Sequence, residues 1–190
     1  MNQKDVERAR GENKSKDRFD GKTIEIKLTC GRVAVIDFKA YYRIKKHKWM
    51  GKKGRNTWYA LRYFYDESGE RRQAWMHREI LRLKDPDVFV DHIDGDGLNN
   101  TMNNLRVATK QENHWNQGSY KGSSDFRGVS WNVAAKKWQV RITANKVTHQ
   151  LGFFKCEKEA AKVWNEKAKE LYGEFARLNR VDDLEAEDGK

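Results

Sequence analysis

VDHIDGDGLNNTMNNLRVATKQENHWNQ, residues 90–117, is the stretch on which the reading of this chain turns. An apolar lead-in ends a strand at Asp91-His92, a Gly/Asn/Asp-rich loop follows, NLRVAT (104–109) makes a short return strand, and KQENHWNQ (110–117) opens a polar helix. Two strands and a helix of this length enclose one small site. Asp91 offers a hard carboxylate oxygen and Asn113 an amide oxygen, donors that suit magnesium or manganese better than zinc. His92 is then left free as a base, because an imidazole with a pKa near about 6.5 takes a proton from water at neutral pH. A metal beside it stabilises charge on a phosphate and on a leaving oxygen. Asp94 and Asp96 suggest a calcium loop, but the Glu such a loop carries at its twelfth position is missing, so both read as turn residues. Asn99, Asn100 and Asn103 read as turn formers as well.

Charge rises on both sides of this stretch. Residues 23–88 hold 16 basic and 8 acidic groups and residues 119–180 hold 13 and 6, whereas residues 89–118 hold 2 and 4. An acidic island between basic blocks is what a cation site held against a polyanion requires, since carboxylates attract the metal and Lys and Arg attract phosphate. The whole chain of 190 residues carries a formal +11, with 37% hydrophobic and 12% aromatic residues, enough apolar material for a modest core. It predicts a flexible basic arm over 1–22 and an acidic tail over 181–190. No apolar run approaches the roughly 18 residues of a membrane span and the N-terminus has no apolar signal region, so the expectation is a soluble, cytoplasmic protein. Cys30 and Cys156 form no CxxC pair and read as small buried hydrophobes.

Upstream, TIEIKLT (23–29) alternates at period two, Cys30-Gly31 supplies a turn and RVAVI (32–36) returns, a hairpin. Asp37 is placed to cap a short helix through FKAYYRIKKH, and WYALRYFYD (58–66) with RRQAWMH (71–77) proposes a second hairpin, followed by a short helix at REILRL. Trp49, Trp58, Tyr59, Tyr63, Tyr65 and Trp75 read as core rather than as a base-stacking platform. Downstream, FRGVSWN, KKWQVRITA and KVTHQLGFF read as three strands, then EKEAAKVWNEKAKELY as a helix closed by Gly173. Trp138, Val140 and Ile142 share one strand face, and the helix covers it with Ala160, Ala161, Trp164, Ala168 and Leu171. The opposite sheet face is polar and could suit the major groove.

Asp91-His92-x11-Asn104-x8-Asn113 resembles the HNH endonucleases of the ββα-metal fold, specifically the phage and intron-encoded homing type. The resemblance implies that Asp91 and Asn113 bind magnesium or manganese, that His92 activates water and that Asn104 fixes the loop through its backbone. The third family position is often His; here it is Asn113, with His114 one residue later as a second candidate for the metal. His77 resembles a position before the motif that in this family supports the site or contacts DNA, and a structural role stands beside that reading. FRGVSW, LGFF, EAAKVWNEKA and GEFARLN are similar to the plant ethylene-response-factor, or APETALA, DNA-binding domain. That likeness puts Arg127, Ser130, Asn132, Arg141, Thr143, Thr148 and Gln150 at groove-facing positions, and alternation adds Gln139.

The expectation is therefore an α+β chain. N-terminal β-hairpins lead into a ββα-metal HNH nuclease unit (23–118, core 86–118), and a three-stranded antiparallel sheet packed on one helix follows (119–180). The expected partner is double-stranded DNA, with no membrane and no small-molecule substrate. The expected reaction is site-specific hydrolysis to 5′-phosphate and 3′-hydroxyl ends, in the cytoplasm of a bacterial host if phage-encoded. A single catalytic unit per chain fits a nicking monomer, with a dimer as the way to cut both strands. Two rivals share the sequence: a DNA-binding regulator carrying a spent nuclease unit, and a phage nuclease of low specificity.

Overall fold

A computed structural model of the protein describes residue 7 and residues 21–117 and 122–181. Most of the arm and of the acidic tail expected from sequence lies outside the described residues. The chain is α+β and divides into two units, 1–116 and 117–190. No described helix is long and apolar enough to cross a membrane.

In the first unit, β1 (Thr23–Lys27) and β2 (Val33–Asp37) pair antiparallel with Ile26 opposite Ala34, so Ile26, Ala34 and Ile36 reach the core on alternate positions. Their turn uses Gly31 at φ +82°, the left-handed region that glycine adopts without steric cost. The expected helix after Asp37 is shorter than its sequence suggests: a 3-10 turn over Phe38–Ala40 and α1 (Tyr41–Ile44). Asp37 does not cap it. Its buried carboxylate instead accepts from the Met102 backbone N–H at 2.7 Å.

A strand not foreseen from sequence, β3 (Met50–Lys53), joins β4 (Trp58–Tyr65) and β5 (Arg71–Trp75) in an antiparallel sheet ordered β3-β4-β5. The residues MGKK carry almost no strand propensity, and pairing with β4 imposes the conformation. Then come α2 (Met76–Ile80), β6 (Phe89–His92), β7 (Asn99–Asn100), β8 (Leu105–Ala108) and α3 (Lys110–Trp115). β6 and β8 pair antiparallel, while β7 adds to β2 in parallel, Asn100 opposite Ile36.

One core joins these pieces: Ile36, Ile44, Trp49, Met76, Leu105 and Val107 are among its buried members. Each such side chain stabilises the fold by about 1.5–3 kcal/mol when fully buried. Of the six aromatics expected there, only Trp49 is buried; its indole N–H donates to the Ile44 carbonyl at 2.8 Å. Trp58, Tyr59 and Trp75 are half-buried, and Tyr63 and Tyr65 are exposed, because β4 and β5 run out beyond the core. The cysteines also depart from expectation. Both are exposed, Cys30 in a turn and Cys156 at a helix N-cap.

The second unit orders β9 (Val129–Asn132), β10 (Lys137–Ala144) and β11 (Val147–Phe154) as β11-β10-β9, all antiparallel, with α4 (Glu157–Tyr172) against them. Val140, Ile142 and Ala144 meet the buried Ala160, Ala161, Trp164 and Ala168. Leu171, expected in this set, is half-buried; Tyr172 is buried in its stead and donates to the Thr143 carbonyl at 2.7 Å. Asn145 and Lys146, at φ +50° and +67°, make the two-residue turn between β10 and β11.

Candidate functional site

β6 delivers Asp91 and His92 to its C-terminal end, pointing to opposite sides as successive strand residues must. Arg106 stands directly opposite Asp91 on β8 and grips one carboxylate oxygen, Nε to Oδ2 at 2.7 Å and Nη2 to Oδ2 at 2.6 Å. Asn116, just past α3, turns its Nδ2 to both Asp91 oxygens at 3.0 and 3.1 Å and to the His92 carbonyl at 2.8 Å. Burial raises the Asp91 carboxyl pKa, and the Asn116 and Arg106 hydrogen bonds oppose that rise without cancelling it.

The His92 ring is boxed edge-to-face by His77, at 5.2 Å between centroids, and by Tyr59 at 5.8 Å. Its Nε2 lies 3.4 Å from Asn100 Oδ1. The Asn100 amide N–H group is committed to the Leu98 and Gly97 carbonyls at 3.1 and 3.4 Å, so its oxygen is the end that faces the ring. An acceptor at Nε2 selects the Nε2–H tautomer, which leaves the lone pair on Nδ1. Burial holds the His92 pKa below the ordinary 6.5, against the pull of Asn100 and of Asp94, Asp91 and Asp96. The ring is therefore neutral at neutral pH, as a base must be.

His77, in α2, stacks on Trp75 at 6.0 Å and 19°. Burial, then the charges of His92 and Arg78, hold its pKa well below 6.5, and its enclosed Nδ1 has no hydrogen-bond partner. The loop between β6 and β8 closes on Asn104. Asn104 Nδ2 donates to Asp94 Oδ1 at 2.9 Å and to the Asn99 carbonyl at 2.7 Å, and its Oδ1 accepts from the Asp94 N–H at 3.0 Å. Asp94 and Asp96 use their oxygens on the Asp96 and Leu98 N–H groups of this loop, and Asp96 Oδ1 also accepts from Thr57 Oγ1 at 3.4 Å.

α3 begins with a reciprocal cap. Thr109 Oγ1 accepts from the Glu112 N–H at 3.1 Å, and Glu112 Oε2 accepts from the Thr109 N–H at 2.7 Å. Asn113 is half-buried one turn before Asn116, on the same helix side, whereas His114 is exposed. Among the described residues no group of three or more His, Cys, Asp and Glu side chains forms a metal cage. Two residues of the site escaped sequence reasoning. Asn116 was signalled by its i+3 spacing from Asn113; Asn100 had no signal, since its role depends on β7 pairing with β2.

In the second unit the open sheet face carries Ser130, Arg141, Thr143, Thr148 and Gln150, all exposed. Asn132 is half-buried and holds the following turn through the Ala135 N–H at 2.9 Å. Thr143 and Thr148 share a hydroxyl hydrogen bond at 2.9 Å across the strands. Gln139 stands on this face, opposite Ser130 and Phe153, but is buried, its Oε1 accepting from Arg141 Nη2 at 2.7 Å. Arg127 precedes β9, and its guanidinium lies 5.4 Å from the Trp164 ring and donates to the Gln117 carbonyl, away from the open face. Phe153 joins that face, because an irregularity around Leu151 makes Arg141 face Gln150 while Val140 faces Gly152.

The family described as HNH endonuclease matches residues 77–115. The chain is 34% identical over 158 residues, 80% of this chain and 77% of the relative, to the uncharacterized HNH endonuclease L560 of Acanthamoeba polyphaga mimivirus. It is 34% identical over 91 residues, 47% of this chain and 74% of the relative, to Protein 3.8 of Escherichia phage T7. No solved structure matches.

Proposed function

This chain belongs to the HNH endonucleases, and we propose that it is a site-specific, divalent-metal-dependent DNA endonuclease of the homing type, with His92 as the general base. The observation that carries the reading is the His92 environment: a neutral ring whose Nε2 faces Asn100 and whose Nδ1 keeps its lone pair, one residue from the Asp91 carboxylate. The donor set fits a hard cation. Among the described residues Asp91 Oδ1 accepts from the Asn116 amide, while Oδ2 takes the Arg106 ion pair, so Oδ1 retains acceptor capacity; Asn113 adds an amide oxygen from α3. Asp91 and Asn113 would hold magnesium or manganese, which when bound supplies charge stabilisation to the phosphate and the 3′ oxygen.

The protein's own groups then do the rest. Nδ1 of His92 takes a proton from water as the water oxygen bonds to phosphorus and the bond from phosphorus to the 3′ oxygen breaks; the departing 3′ oxygen takes a proton from solvent and His92 later returns its own to solvent, leaving a 5′-phosphate and a 3′-hydroxyl. Asn104 keeps the loop closed, and Asn100, Tyr59 and His77 keep the imidazole from turning. Target choice falls to the flanking modules, chiefly the open APETALA-like face of β9, β10 and β11 with Ser130, Arg141, Thr143, Thr148 and Gln150. The infected host cell is the proposed place of action.

Incubation of supercoiled plasmid with the protein and magnesium, against chelator and His92→Ala, tests this. Relaxed or linear DNA is expected only with the native residue and metal, with the rate down about 10²–10⁴-fold in the variant while binding persists. Unchanged turnover in His92→Ala would falsify the base assignment. Binding without cleavage favours a regulator, and a smear on long mixed-sequence DNA favours a nuclease of low specificity; discrete bands support homing.

A further inference from the structure

β4 and β5 outrun β3, whose pairing ends at Met50 opposite Leu61, so residues 62–65 and 71–74 form a two-stranded ribbon beyond the core. Register divides this sheet into two faces. Ala60 on one face belongs to the hydrophobic core, and Gly51 opposite it lies against Leu28 and Cys30. The other face carries Tyr59, Tyr63 and Tyr65 on β4, Met50 and Lys52 on β3, and Arg71, Gln73 and Trp75 on β5, with Leu61 buried between Tyr59 and Tyr63, so that its water-facing part lies on either side of that residue. It begins at the catalytic histidine: Tyr59 meets the His92 ring at 5.8 Å and the Trp75 ring at 6.0 Å, and Lys52 Nζ lies 5.4 Å from the Trp75 ring. Farther out, the Arg71 guanidinium sits 3.8 Å from the Tyr63 ring. Lys52, Arg71 and Gln73 are exposed, with Tyr63 and Tyr65 exposed by 41% and 74%.

No carboxylate falls on this face along β3, β4 or β5. Those of the hairpin cluster at its turn, where Asp66 is paired with Arg72 at 2.7 Å. Water-facing tyrosines braced by cations, with no acid among them, suit a polyanion that also offers flat rings and sugars. A two-stranded ribbon has the width that the roughly 12 Å major groove admits. We propose that this outer face of the β3-β4-β5 sheet is a second DNA-docking surface, distinct from the C-terminal sheet, which grips the duplex immediately beside the phosphate presented to His92. The proposal rests on the nuclease reading, and adds the surface that holds the DNA next to the cut.

The test uses the full chain carrying His92→Ala, a mixed-sequence duplex and a salt titration of affinity, with and without Lys52→Gln/Arg71→Gln. Loss of two phosphate contacts is expected to lower the slope of log affinity against log salt by about 1.8. Tyr63→Ala is expected to weaken binding at every salt concentration with the slope unchanged. Because all three side chains are exposed, unaltered circular dichroism spectra are expected alongside. An unchanged slope together with unchanged affinity in Tyr63→Ala overturns the proposal, and a shift in sedimentation without a change in slope overturns it in favour of contact between copies. Plasmid cleavage by the native chain separates the two readings: cleavage with an unchanged slope removes the docking face alone, whereas neither cleavage nor binding removes the nuclease reading with it.

Discussion

Replacing Arg106 by Met removes the ion pair beneath the site. Arg106 and Asp91 are cross-strand partners with side chains 12% and 4% exposed, so the substitution leaves a carboxylate in the interior with only the Asn116 amide beside it. Breaking a buried pair from one side costs about 3–5 kcal/mol, and the surviving Asn116 contact puts the expected loss near about 3 kcal/mol, roughly a hundredfold in the folding equilibrium. The sign with pH follows from Asp91. Its folded pKa is already raised by burial, and losing Arg106 raises it further. A raised folded carboxyl contributes stability below the unfolded value near about 3.9, and that contribution is lost as pH rises through the folded value. The deficit of Arg106→Met is thus widest at neutral pH and narrows in acid. Urea unfolding read from the amide signals of Val90 and Val107, at neutral pH and near about pH 4.5, measures it; Asp91→Asn/Arg106→Met is expected to recover most of the loss. A loss below about 1 kcal/mol, or a deficit that stays constant in acid, refutes the reasoning.

Two further outcomes are expected. His77 and His92 are both held neutral by burial, so the unfolded chain binds protons near about pH 6.5 while the folded chain resists them, and their contribution to stability falls as pH drops below that value. His77→Phe is expected to flatten that fall, which separates the histidine from Asp91, whose raised carboxyl acts in the opposite sense; identical pH profiles of urea midpoint would sink this. Gly128 sits at φ +74°, where an added methyl group runs into the Trp164 indole and lies 2.7 Å from the Arg141 carbonyl. Gly128→Ala is expected to destabilise the C-terminal unit by about 2–5 kcal/mol from left-handed strain and overpacking, and melting within about 2 °C of the native chain would contradict it.

Local chemistry was legible in the sequence and long-range pairing was not. The β1–β2 hairpin, the strands of the C-terminal sheet and the β6-loop-β8-α3 order follow from alternation and turn residues that neighbours in sequence express. Asp91, His92 and Asn104 stood out because they belong to one short motif, His92-x11-Asn104-x8-Asn113 with Asp91 before it. β3 was missed because its residues express no strand pattern of their own. Asp37 was read as a cap because its distant partner, the Met102 N–H, leaves no trace in a local window. The displaced Phe153 has the same origin: one extra residue at Leu151 reverses the alternation, and nothing in the string announces it.

The same distinction bears on where the catalytic unit ends. The family match covers 77–115, yet the loop that carries the site is gripped from well outside that window. The Val35 N–H donates to the Leu98 carbonyl at 2.9 Å, Asp37 holds Met102, and Thr57 Oγ1 accepts from the Gly97 N–H at 3.1 Å. The first of these contacts sets β7 against β2, and β7 carries Asn100, whose oxygen decides which nitrogen of His92 keeps its lone pair. Asn116, which steadies Asp91, lies one residue beyond the other end of the match. The motif thus supplies the proposed reacting groups, but their protonation and orientation are set by contacts that begin at β2 and end at Asn116. A ββα segment cut to the motif would keep Asp91, His92 and Asn113 while losing the contacts of β2 with β7 that hold Asn100 against Nε2 of His92, the proposed base.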